Sequence, residues 1–202
     1  SFDDGAQWQK FQLNLPQVPI TDLTLKNNDL IVATQGRSLW MIDDLTVLHQ
    51  LRNAKGNQNF LFKPKDTYRI GGRSRSGSLT QGTNHPNGVM VYFTLADPEH
   101  SEVSLSFLNL NNDTLKRFSN KDKKNKLEVK KGHNLMVWDL KGEGAERLDG
   151  MILWWASTEA PNAVPGNYSV VLQVGDQVMR RPFSIVADPN SETDQMGMQR
   201  QF

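Results

Sequence analysis

Apolar residues recur along the chain at a spacing of two, in short runs separated by turn-forming residues. The clearest runs lie in the second half. In VMVYFTL, Val89, Val91, Phe93 and Leu95 share one face, and in EVSLSF, Val103, Leu105 and Phe107 point inward while Ser104 and Ser106 point outward. Asn111-Asn112-Asp113 reads as a hairpin turn. NLMVWDL supplies a further strand, and NYSVVLQV with QVMRRPFSIV flanks Gly175-Asp176, a tight turn of the primed type suited to antiparallel strands. About seven strands within roughly 100 residues predict an antiparallel β-sandwich of immunoglobulin-like or fibronectin-III-like size. The expected core contains Val91, Phe93, Leu105, Trp138, Tyr168, Val170 and Leu172.

The first half carries weaker runs: KFQLNL, ITDLTL, LIVAT and SLWMID, with turns at KNND and Gln35-Gly36-Arg37. These predict a meander of about four strands, the size of one propeller blade. Thr46 to Arg52 is expected to make a helical turn, capped by Asp43 or Asp44. NFLFKPKDTYR then reads as an extended connector, because Pro64 blocks helix. Gly71 to Gly88, rich in Gly, Ser, Asn and Arg, reads as a surface loop at the domain boundary. The predicted fold class is therefore all-β. A blade and exit segment span 1–51, a connector and loop 52–87, the sandwich 88–188, and a tail with helical character 189–202.

Composition narrows the chemistry. Cysteine is absent from the 202 residues, which excludes disulfides, thiolate zinc sites and cysteine nucleophiles. A net charge of +1 creates no broad field for nucleic acid or anionic membrane, but Lys116 to Lys131 holds eight basic residues against Asp122 and Glu128. That run has no series of interleaved aromatics for base stacking and reads as a solvated hairpin face, not a nucleic-acid site. No apolar run is long enough to span a membrane. The four histidines, His49, His85, His100 and His133, lack ligand spacing, and no G-x-S-x-G, H-E-x-x-H or phosphate-cradling loop is present, so neither a metal nor a cofactor is expected.

One short motif stands out. Ser1, Asp3, Gly5 and Trp8 form S-x-D-x-G-x-x-W, in which the carboxylate can fold back onto amides ahead of it, Gly5 can take a positive φ, and Trp8 can pack under the turn. A calcium loop needs further oxygen ligands at regular spacing, and after Asp4 the next acid is Asp22. The motif is expected to be structural.

This pattern resembles the Asp-box, or BNR repeat, with Gln7 where that pattern usually has Thr. SFDDGAQW, LNLPQVPITDL, NDLIVATQGRSLWMIDD and LTVLHQL, from Ser1 to about Leu51, are similar to the last blade of sortilin-like, glycosyl-hydrolase-like Asp-box propeller proteins. Those proteins frequently have His at the position of Gln35. NHPNGVMVYFTL, GHNLMVWDL, DGMILWW, VPGNYSVVLQVGDQ and FSIVADP resemble the sandwich that follows their propeller. The resemblance implies a piece of a longer secreted or periplasmic parent, opening inside a motif, with the remaining blades as its partner and a surface offered to glycan or protein.

Candidate sites are few. Trp154 and Trp155 could stack on a pyranose, but in a strand neighbours face opposite ways, so one is expected in the core and the other at a rim. Arg37, placed on a blade turn, is expected to bind backbone or carboxylate locally. Asp43 and Asp44 diverge and do not form a glycosidase pair. No complete catalytic set exists in the chain, and two functions stay open: a non-catalytic binding and structural segment, or an accessory part of an extracytoplasmic hydrolase whose chemistry resides in other blades.

Overall fold

A computed structural model describes residues 1–54, 57–70, 85–146, 148–191 and 195–201, excluding the side chains of 195 and 201. The chain is all-β and divides into two compact units, Ser1–Lys55 and Gly56–Phe202.

The first unit is an antiparallel sheet of β1 (Ile20–Lys26), β2 (Asp29–Thr34) and β3 (Leu39–Ile42) in the order β1-β2-β3. Leu23 lies opposite Val32 and Val32 opposite Trp40; Leu25, Leu30 and Ile42 form the next row. Directly opposed residues share a face, so one face is wholly apolar along these rows. The intervening rows put Ile31, Ala33, Leu39 and Met41 on the other face. The first face is apolar and the second mixed, with Asp22 opposite Ala33 and Thr24 opposite Ile31, and Leu23, Leu25, Leu39 and Met41 are all exposed.

KFQLNL is not a strand. Leu15 donates its amide to the Gln12 carbonyl in a turn, and Pro16 follows, restricting Leu15 and removing a donor. The blade-sized meander thus has three strands. After β3 the chain enters α1 (Thr46–Gln50) and a 3-10 turn, Leu51–Asn53. Asp44 is the acid that supports this entry, accepting the Thr46 amide at 2.8 Å.

The second unit is a sandwich of two sheets. β4 (Phe60–Leu61), β6 (Val89–Leu95) and β9 (Gly132–Trp138) make one, in the order β4-β6-β9. The other runs β5-β11-β10-β7-β8, from β5 (Thr67–Arg69), β7 (Val103–Leu108), β8 (Thr114–Ser119), β10 (Gly166–Val174) and β11 (Gln177–Ala187). All pairings are antiparallel except β5 with β11.

One core joins the sheets: Val89, Val91, Phe93 and Leu95 from β6 meet Val103, Leu105 and Phe107 from β7, and Val170 and Leu172 from β10. Trp138 stacks on Phe107, with ring centroids 4.3 Å apart, and its indole N–H donates to the Lys141 carbonyl at 2.8 Å. All seven residues expected in the core are buried.

Three expectations need correction. The 52–87 connector contains β4 and β5, which belong to the sandwich sheets, so the sandwich unit begins near Gly56 rather than at 88. Leu61 and Phe62 are buried, with Leu61 in the core cluster, while Pro64 only separates two short strands. The loop expected at Gly71–Gly88 lies mostly outside the described residues. Ser104 is buried rather than outward, because Arg117 from β8 covers it and donates to its hydroxyl at 3.4 Å. At the C-terminal end, α2 (Gln195–Gln201) gives the tail its helix, and Met198 is buried.

Candidate functional site

Between β9 and β10 the chain makes an irregular hairpin. Its stem is zipped at both ends: Ala163 donates its amide to the Leu140 carbonyl at 2.7 Å, and Ala145 to the Thr158 carbonyl at 2.8 Å. An isolated bridge joins Lys141 to Asn162, and the Lys141 ammonium bonds the Glu159 carboxylate. That bond raises the pKa of Lys141 and lowers that of Glu159, so both stay charged around neutrality. Gly144 is required by this packing. A Cβ there would lie 2.5 Å from the Thr158 carbonyl oxygen, too close for any side chain.

A second set of bonds ties the stem to β8. Glu143 donates its amide to the Leu115 carbonyl at 3.0 Å, and its carboxylate takes Lys116 at 3.2 Å and the Asn125 amide at 2.7 Å. Lys124 approaches the same carboxylate at 3.9 Å.

Beyond the stem the chain forms a tip of apolar side chains in solvent. Trp154 is 86% exposed and Trp155 97%; Leu148, Met151 and Ile152 are exposed as well. The expectation of one core and one rim tryptophan is therefore corrected. It assumed a strand, but Met151–Trp155 lies in no regular element, so alternation does not apply and both rings point outward. The sequence signal for this arrangement is Gly142, Gly144 and Gly150 around the apolar run, glycines at odds with a continuous strand. Reading from pattern alone missed the stem, whose bonds are backbone contacts and one ion pair across 18 residues.

A cleft of about 480 Å³ opens between the stem and β8, with Lys116, Phe118, Lys124, Lys141, Thr158 and Glu159 in its wall. Each of its three lysines faces a carboxylate. Glu143 serves Lys116 and Lys124, and Glu159 serves Lys141. A carboxylate held ionised by a lysine is a poor general acid, so Glu159 here braces the stem.

The N-terminal motif is a closed turn. The Asp3 carboxylate accepts the Gln7 amide at 2.9 Å and the Ser1 hydroxyl at 2.8 Å, while the Ser1 oxygen accepts the Gly5 amide at 2.8 Å. Asp4 and Gly5 both have positive φ, 53° and 94°. The Gln7 amide first, and then the Ser1 hydroxyl, hold the Asp3 carboxyl below its ordinary pKa. Trp8 does not pack beneath the turn as expected. Its ring edge lies near Gly5, but it is 80% exposed, because no strand forms before Ile20 to give it a surface.

Arg37 is exposed, and its carbonyl accepts the Trp40 indole N–H at 2.9 Å; among the described residues its guanidinium meets no partner, contrary to expectation. It lies in the first unit, the two tryptophans in the second. No group of three or more His, Asp or Glu suited to a metal occurs among the described residues.

Comparison of the chain with known protein families, curated proteins and solved structures finds no match.

Proposed function

We propose that this chain is a non-catalytic binding and structural segment: a blade-type sheet followed by an immunoglobulin-like sandwich that presents its β9–β10 tip to a partner. The observation that carries this reading is the braced stem with five apolar side chains exposed at its end. Burying such side chains against a partner releases about 1.5–3 kcal/mol each, whereas in the free chain they contribute almost nothing to folding. Tryptophan on a preorganised loop is the residue type that dominates recognition surfaces.

Two observations support the fold assignment within this proposal. The orders β4-β6-β9 and β5-β11-β10-β7-β8 divide eight strands between two facing sheets, as the immunoglobulin-like reading requires. Tyr168, near the start of β10, donates its hydroxyl to the Val164 carbonyl at 2.7 Å, the bond of a tyrosine corner. The blade assignment draws on the exposed apolar side chains on both faces of the β1-β2-β3 sheet and on the Ser1–Asp3–Gly5 turn, which resembles an Asp-box. A blade covered on both faces by further blades of a secreted or periplasmic parent would bury those faces.

The test is denaturant unfolding of the full chain carrying Trp154→Ala and Trp155→Ala. A presented tip predicts a change within about 0.5 kcal/mol. A loss above about 2 kcal/mol would mean the rings belong to the fold and would remove the basis of the proposal.

A further inference from the structure

The tip does not stand alone. The turn after β8 places Lys121, Lys123, Lys124 and Lys126 in solvent, and this turn touches the base of the stem through the bonds from Lys124 and Asn125 to Glu143. The chain as a whole carries +1, yet Lys116 to Lys131 alone holds eight cations against two anions. The turn thus brings a net positive charge to the base of the exposed apolar tip, with Lys121 and Lys123 in solvent while Lys124 and Lys126 also face Glu143 at 3.9 Å and Glu128 at 3.7 Å.

We infer that the tip and the lysine turn together dock the sandwich onto an anionic lipid surface, the rings of Trp154 and Trp155 entering the headgroup boundary while the lysines meet lipid phosphates. This rests on the reading of the tip as a presented binding element. Tryptophan is the side chain best suited to that depth, with an apolar body and one N–H donor. Neither part suffices by itself, since one short apolar anchor gives only marginal, reversible binding and stable attachment takes a second signal. Each lysine near an anionic surface adds roughly fivefold in partition. Glu146 and Asp149 oppose this field on the first limb of the tip, but the span Met151–Trp155 carries no charge. Glu143 and Glu159 are already occupied by lysines.

The experiment uses the full chain with vesicles of phosphatidylcholine alone and of phosphatidylcholine mixed with phosphatidylglycerol, read by flotation and tryptophan emission. Binding to the phosphatidylglycerol vesicles is expected, with a blue shift, and it should weaken as salt screens the lysines. Trp154→Ala with Trp155→Ala should lower partition at least about tenfold and abolish the shift. A separate variant, Lys121→Glu with Lys123→Glu and Lys124→Glu, should lower it at least about a hundredfold. Equal partition to both vesicle types, binding retained without the two tryptophans, or retention only on an immobilised anionic polysaccharide would overturn the inference. A stable tryptophan variant beside a wild-type chain that ignores vesicles would reject the lipid partner alone. An unfolded variant would reject the presented tip itself.

Discussion

At the scale of single residues, two side chains show how local bonds set stability. Asp3 closes its turn by accepting the Gln7 amide, and its pKa is lowered for that reason. The stabilisation is therefore present above the carboxyl's unfolded pKa and is lost as pH falls through the lower folded one. Asp3→Ala should accelerate hydrogen exchange at the Gln7 amide and leave the sandwich unchanged; an unaltered exchange rate would show that the carboxylate does not hold the turn. Tyr168 works in the opposite sense. Burial raises its pKa, so its contribution is complete below about pH 10, the ordinary tyrosine value, and is lost as pH climbs through the higher folded one. Tyr168→Phe leaves the ring stacked on Phe183 but removes the bond to Val164, and should cost about 1 kcal/mol in denaturant unfolding.

Among the elements, those whose residues alternate cleanly were legible in the sequence and those held by long-range backbone contacts were not. Val89–Leu95 and, from Tyr168 on, Gly166–Val174 alternate fully buried positions with less buried ones, and their strands lie where the period of two puts them. β4 and β5 are two and three residues long, too short to show a period, and are strands only because β6 and β11 offer edges to pair with. The tip was half legible. Trp154 and Trp155 were identified as a candidate surface, but the period-two argument placed one of them in the core, since nothing local shows that Ala145 and Thr158 close the loop instead. The stem makes a sharp prediction: Gly144→Val forces a side chain against the Thr158 carbonyl and should destabilise the chain by about 1–3 kcal/mol. Gly142→Ala, whose added carbon would meet the Leu115 oxygen at 3.4 Å, should be milder.

For the molecule as a whole, the two units differ in how completely they satisfy their own apolar surface. Among the described residues the sandwich buries eighteen in one cluster, with Trp138 fully enclosed, and Trp138→Ala should cost about 3–5 kcal/mol. The first unit buries only Val32 and Leu45 among its large apolar side chains, and a three-stranded sheet on that footing is marginal. Its all-β character was legible in the sequence, whereas the open state of both faces depends on what surrounds the sheet. Backbone amides of β1, β2 and β3 should accordingly exchange faster than those of β6, β7 and β10.

The same exchange experiment on the wild-type chain shows whether the tip is presented, by comparing the stem with the tip it carries. Slow exchange is expected at Ala145 and Ala163, whose amides zip the stem, and rapid exchange from Ile152 to Trp155. Protection of the Trp154 and Trp155 amides equal to that of the sandwich strands would mean the tip is folded into the chain, and would contradict its role as a surface presented to a partner.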